Sequence, residues 1–389
     1  LVSTEPATGK EIWHGKSGDV DKAIERARDA MRDWARANGQ DPDLKPWDIR
    51  YYAEQVLAEQ HALDSEKLAA SLHPDRLKDG LFWMAEKHLG WRLVPTDTVP
   101  LPHPDVSAYE VHDDNGVRGI WVWDPYARVG KRSGAWMTAW RVQQNLDGRV
   151  LPLVSNNENY VKAPAGQPTL LSWDDAETLF HEFGHAMHGL ASDVRYPSLA
   201  GTGVCRDFVE FPSQLAEHWL GTPELLARFA RNSADQPLPE AWLSALKDAA
   251  NAASGFGTVE FMACALLDLQ LHLETDPVDP RTFERHALEA IGMPDTLAMR
   301  HRLPHFSHLF SSDGYASSYY SYLWADVLVA DAAEAFAESG FYDRDLSKRY
   351  HDTVLSRGNT VDPAEAFRAF RGRDPEPDAL FRDRGFDVR

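Results

Sequence analysis

The sequence predicts a mainly α protein with a small antiparallel β-sheet, and three observations carry that expectation. Apolar residues recur at i, i+3, i+4 and i+7 through most of the 389-residue chain, the spacing of helices that bury one face. Strand-like runs are confined to 106–111, 117–123 and 150–154, the first two joined by the hairpin signal Asp113-Asp114-Asn115-Gly116. One helical stretch, 173–190, reads WDDAETLFHEFGHAMHGL and places chemistry-bearing side chains on a single face.

Composition sets the outer limits. A net charge of −20 with no basic block argues against nucleic acid and anionic membrane surfaces as partners. Two cysteines, Cys205 and Cys264, do not make a disulfide framework. No run of eighteen apolar residues exists and the first residues lack the order of a signal peptide, so a cytoplasmic enzyme is expected. The chain opens on Leu1 rather than Met, consistent with a missing upstream portion.

Residues 1–44 read as an N-terminal extension. A turn-rich lead with Pro6, Gly9, Gly15 and Gly18 precedes a helix over 19–37, whose stripe is Val20, Ala23, Ile24, Ala27, Met31 and Trp34. STEPATGKEIW and DVDKAIERARDAMRDWA resemble the N-terminal segment of aldehyde dehydrogenases over 1–37, with 38–43 as junction. That activity is not expected, because no G-x-G-x-x-G follows a strand and neither cysteine sits in the family's nucleophile setting. Helices follow over 47–72 and 75–89, the second with Leu77, Leu81 and Met84 on one face. The small sheet comes next, a candidate edge for aligning a peptide backbone.

Ser172 and Asp175 form an expected N-terminal cap for the 173–190 helix, and no proline follows until Pro197. Leu179, Phe183, Met187 and Leu190 would bury one side. His181 and His185, four residues apart, stack on the other, where two imidazoles can share one Zn²⁺. Glu182 between them is placed to hold and deprotonate a water. Gly184 costs about 1 kcal/mol against Ala inside a helix, which points to a close approach to that backbone. His188 lies seven residues from His181, about 10 Å along the axis, and cannot join the same ion. A third ligand must come from elsewhere. The segment RDFVEFPSQLAEHW, 206–219, offers Glu210, with Glu217 two turns beyond. A carboxylate tucked among those apolar neighbours needs a cation.

HEFGHAMHGL followed by DFVEFPSQLAEHW resembles the thimet oligopeptidase family of zinc metallopeptidases, most closely its bacterial peptidyl-dipeptidase (dipeptidyl carboxypeptidase) branch. The resemblance runs over 45–389, from LKPWDIRYYAEQV to the tail LSRGNTVDPAEAFRAFRGRDPEPDALFRDRGF. It implies a helical, zincin-like catalytic domain with the antiparallel sheet near the active site, here lacking the family's N-terminal half. It also implies Glu210 as the third zinc ligand, 29 residues after His181. The expected activity is zinc-dependent hydrolysis of short, unstructured peptides, releasing C-terminal dipeptides. The alternatives are an oligopeptidase of the same family cutting internally and a truncated chain that holds zinc without turnover.

Beyond the zinc segment, helices are expected over 224–232, 240–253, 259–274 and 280–291, with His272 satisfied or exposed rather than a ligand. In the 304–324 stretch, PHFSHLFSSDGYASSYYSYLW, the tyrosines Tyr315, Tyr319 and Tyr322 are spaced to share one helical face. The family takes one His and two Tyr from this stretch to stabilise the oxyanion, which match His308, Tyr315 and Tyr322. The Ser311-Ser312-Asp313-Gly314 run departs from the family in length and glycine content. Metal-bound histidines need outer partners. Glu177, one turn before His181, and Arg206, one turn before Glu210, are expected to pair and brace the two ligand helices.

Overall fold

Helical periodicity is realised along much of the chain, because the helical runs have an apolar stripe to bury. The structure is a computed structural model describing residues 2–4, 11–14, 18–61, 64–294 and 297–386. In chain order come β1 (Val2–Thr4), β2 (Glu11–His14), α1 (Gly18–Ala37), α2 (Ile49–His61), α3 (Ser65–Ala69), α4 (Pro74–Leu89) and β3 (Arg92–Pro95). Then follow β4 (Ser107–Asp113), β5 (Gly116–Tyr126), β6 (Trp136–Arg141), β7 (Leu153–Tyr160), α5 (Trp173–Ala191), α6 (Arg206–Leu220) and α7 (Pro223–Phe229). The chain continues with α8 (Glu240–Leu271), α9 (Pro280–Ala290), α10 (Ser307–Phe310), α11 (Ser321–Ser339), α12 (Arg344–Tyr350), α13 (Pro363–Arg371) and α14 (Pro377–Asp383).

These elements form two compact units, one of residues 1–63, 244–320 and 381–389, the other of 64–243 and 321–380. In the first, α1 lies against α2. Ile24, Met31 and Ala35 pack with Leu44, Ile49, Tyr52, Val56, Phe256 and Leu297, so the stripe expected on α1 is a buried one. Residue 44 is itself part of that cluster. Pro6, Gly9, Gly15 and the side chains of Val20 and Ala23 lie outside the described residues. The helix expected over 47–72 is two helices, because Asp64 caps a new one by accepting from Lys67 N–H. Over 240–274 the two expected helices join in one element, α8, which bends by 45° between Asn251 and Ser254.

The second unit holds a five-stranded sheet in the order β3-β4-β5-β7-β6. The β4–β5 hairpin turns at Asp113 to Gly116 as its sequence requires. The expectation of a wholly antiparallel sheet is corrected: β5 and β7 run parallel. Parallel neighbours need a long connection, and residues 127–152 supply one, including β6, which pairs antiparallel with the far side of β7. The third expected strand, 150–154, is displaced to β7. Trp121 on β5 is fully buried, meeting Tyr109, Phe82 and Phe183. That aromatic layer seats α5 on the sheet.

A buried histidine gives this unit an acid-sensitive point. His88 on α4 sits over Trp219 with ring centroids 4.6 Å apart, its Nδ1 2.7 Å from Ser347 Oγ. Burial, aided by His351 and Arg344, lowers its pKa to about 3. The imidazole is therefore neutral in the fold, whereas the unfolded chain takes up a proton below about pH 6.5. Its contribution to stability is complete above that value and is lost as pH falls toward 3. Between pH 6.5 and 4.5 the loss should be about 2–3 kcal/mol from this group. Urea unfolding at both pH values should show a smaller drop in His88→Phe than in the wild type; equal drops would rule this group out.

Candidate metal centre

The two helices of the 173–219 region are built to touch. In α5, Ser172 and Asp175 form the reciprocal capping box expected of them. Leu179, Phe183, Met187 and Leu190 are all buried, so the opposite face carries the histidines. Gly184 explains itself here: a Cβ added to it would lie 2.6 Å from Ser213 Cα and 2.7 Å from Pro212 O on α6. Only hydrogen fits at that crossing, and the close approach brings Glu210 to the imidazoles.

His181 Nε2 and His185 Nε2 each stand 3.2 Å from Glu210 Oε2. One donor atom from each of these three residues lies within 4.8 Å of the others. Two ligands at zinc distances of about 2.1 Å in a tetrahedron are about 3.4 Å apart, so this spacing fits one ion. Two imidazole nitrogens and a carboxylate oxygen are also the donor set zinc takes in hydrolytic sites, where a fourth position stays open. The residues fit the metal. Glu210 is 3% exposed, and Ser213 Oγ donates to its Oε2 at 3.0 Å. Burial opposes ionisation of Glu210, yet the adjacent His185 and His181 outweigh it and hold the carboxyl well below its ordinary range.

His188 is fully buried and neither of its ring nitrogens has a hydrogen-bond partner among the described residues; it is a core side chain, as its distance along α5 requires. Glu182 is also buried, and its Oε2 has no hydrogen-bond partner among the described residues. Burial pushes its carboxyl up, opposed by His185 and His181. Its backbone is pinned from the sheet: Asn156 Nδ2 donates to Glu182 O at 2.6 Å, and Trp121 Nε1 donates to Asn156 Oδ1 at 2.6 Å. On the same face of β7, Glu158 is buried and its carboxyl is pushed well up by burial and by Glu182.

The contact found for Glu177, expected to brace the helices with Arg206, is to Trp173. Glu177 Oε1 accepts from Trp173 Nε1 at 2.6 Å, and burial with the nearby Glu217 raises its pKa to about 7. The partner of His181 is Glu217, whose Oε1 lies 2.7 Å from Nδ1. That role was open to sequence reasoning, since Glu217 follows Glu210 by two helical turns. Asn156 and Glu158 carried no such signal, because strand and helix meet only in three dimensions.

The 304–324 stretch differs from expectation as well. Residues 315–320 form turns, and α11 begins only at Ser321, so Tyr315, Tyr319 and Tyr322 do not share a helical face. Ser317, at φ +57°, is the reason, since a left-handed residue ends any helix through it. Tyr322 opens α11, which packs along α6 in the unit of the metal ligands. His308 and Tyr315 belong to the other unit, their ring centroids 5.7 Å apart.

Comparison with known proteins follows the same lines. The profile of Peptidase family M3 matches residues 18–386. Dipeptidyl carboxypeptidase of Salmonella typhimurium is 38% identical over 352 residues, covering 88% of this chain and 51% of the relative. Oligopeptidase A of Escherichia coli is 35% identical over 366 residues, 91% of this chain and 53% of the relative. The chain thus spans about half the length of the curated relatives it matches. The family match takes in residues 18–44, and none of these matches supports the aldehyde dehydrogenase likeness of 1–37. With two imidazoles and a carboxylate converging on one point and the family profile matched over residues 18–386, the chain belongs to Peptidase family M3.

Proposed function

We propose that the chain is a zinc metallopeptidase of the peptidyl-dipeptidase type, hydrolysing short peptides in the cytoplasm and releasing C-terminal dipeptides. The single observation behind this reading is the convergence of His181, His185 and Glu210 beside the buried carboxylate of Glu182. These three residues would hold one Zn²⁺, which supplies Lewis acidity toward the scissile carbonyl and acidifies water. Glu182 takes the proton of the attacking water and delivers it to the leaving amine. Burial supports that role, since it raises the basicity of the carboxylate. Glu217 orients His181 through Nδ1. Tyr315 and Tyr322, with His308, donate to the oxyanion, a contribution of about 3–4 kcal/mol for each well-placed donor. The outer edge of β6, which packs against α5, is the line along which a peptide backbone would lie.

Exo-action rather than internal cutting is favoured by the dipeptidyl carboxypeptidase among the relatives. The test compares one short peptide as free acid and as C-terminal amide. The amide should be cleaved at less than about a tenth of the free-acid rate, because the site's recognition of a terminal carboxylate is then lost. Equal rates would identify an endo-acting oligopeptidase. Bound zinc with no hydrolysis of either form would leave only a metal-binding chain.

A further inference from the structure

The loop that carries Tyr315 is anchored by one residue outside every motif. Asp268, on α8, is fully buried, and both of its carboxylate oxygens are committed. Oδ1 accepts from Ser317 N–H at 2.9 Å and Oδ2 from Tyr319 N–H at 2.9 Å. His272 Nδ1, one helical turn on, lies 2.9 Å from Oδ1. The two amides are those that flank the reversal of the chain: Ser317 is one of two non-glycine residues with positive φ among those described, at +57°. Ser318 N–H closes the turn on Tyr315 O at 2.9 Å. Tyr319 then plugs an aromatic cage, stacked on Phe261 at 4.9 Å and edge-on to Phe306 at 4.7 Å and His308 at 5.3 Å.

We infer that Asp268 is a positioning residue for the reaction: it sets the backbone of 315–319 and thereby the hydroxyl of Tyr315. The inference rests on the assignment of Tyr315 as an oxyanion donor. Its physical basis is the cost of a buried carboxylate, which is met by charge-assisted bonds from two amides of one loop. A left-handed serine is an unfavourable conformation that persists only where its surroundings hold it. The same clamp gives a glycine-poor loop a fixed shape. Asp268→Asn is the informative change. Both carboxylate oxygens face N–H donors, so an amide NH2 must oppose one of them and release that side of the turn.

The experiment uses the zinc-loaded chain and a short quenched peptide as probe. Asp268→Asn should keep its zinc and a KM within about twofold of wild type, while kcat falls about tenfold or more, the scale of a displaced catalytic donor. Amide hydrogen exchange over 315–319 should accelerate in the same variant. Combined with Tyr315→Phe, it should cost no more than Tyr315→Phe alone, because both act through one hydroxyl. Asp268→Glu keeps the buried charge and shifts the carboxylate by one methylene; an intermediate kcat is expected, and this variant carries the test if the Asn form does not fold. Unchanged exchange in 315–319 would overturn the anchor, and unchanged kcat or additive losses would overturn the positioning role. A Tyr315→Phe chain as active as wild type would instead remove the oxyanion assignment beneath it, whatever the exchange data show.

Discussion

Glu182→Gln is expected to retain one zinc per chain and to lose peptide hydrolysis by about 10²–10⁴-fold, the range of a positioned general base. The substitution preserves shape and removes the one property that matters, the ability to accept a proton. Metal retention follows from geometry, since the converging donor atoms belong to His181, His185 and Glu210. The fold should also tolerate the change. The contact that pins this position comes from Asn156 to the backbone carbonyl, not to the carboxylate. Metal analysis and turnover of a quenched peptide on the same preparation decide the outcome. Full zinc with lost turnover supports the mechanism, whereas undiminished hydrolysis would end it. Loss of both would make Glu182 a ligand rather than a base.

Gly184→Ala should be damaging through packing alone. Helix propensity by itself predicts a gain of about 1 kcal/mol. The crossing predicts the opposite, because the new methyl would meet Ser213 Cα at 2.6 Å, Pro212 O at 2.7 Å and Ala216 Cβ at 2.9 Å. Two of these are backbone atoms with no rotamer to escape into. Relief requires α5 and α6 to part by about 1 Å, and overpacking of this kind costs about 1–3 kcal/mol. The larger consequence is chemical, since the parting carries Glu210 away from both imidazoles. A lower melting temperature and a zinc affinity weakened by about tenfold or more are expected, read by chelator competition. A variant as stable and as tightly metallated as wild type would show that the helices do not need this contact.

Much of the metal centre could be read before any fold was known, for a local reason. His181, Glu182 and His185 are related by the helical repeat, which is a property of sequence spacing. Gly184 announced a close approach without saying by what. Glu210 came from the resemblance of its flanking residues, and only the crossing of α5 and α6 accounts for its position 3.2 Å from each imidazole. Sequence spacing misled where backbone conformation overrode it. Tyr315, Tyr319 and Tyr322 have helical intervals but no common helix, because Ser317 turns left-handed under the hold of Asp268.

What the sequence determined by itself was everything written at short range: the helix with its capping box, the paired imidazoles, the hairpin at Asn115-Gly116 and the preponderance of helix over strand. Only the tertiary structure decided which outer carboxylate braces His181, that β5 and β7 run parallel, and which residues stand behind Glu182 and Tyr315. Glu217, Asn156 and Asp268 are polar residues in helices or strands, and beyond the two-turn spacing of Glu217 from Glu210 none has a pattern of its own. Their roles arise from bonds to groups 36, 26 and 49–51 residues away, and contacts at that range leave no periodic trace in a single chain.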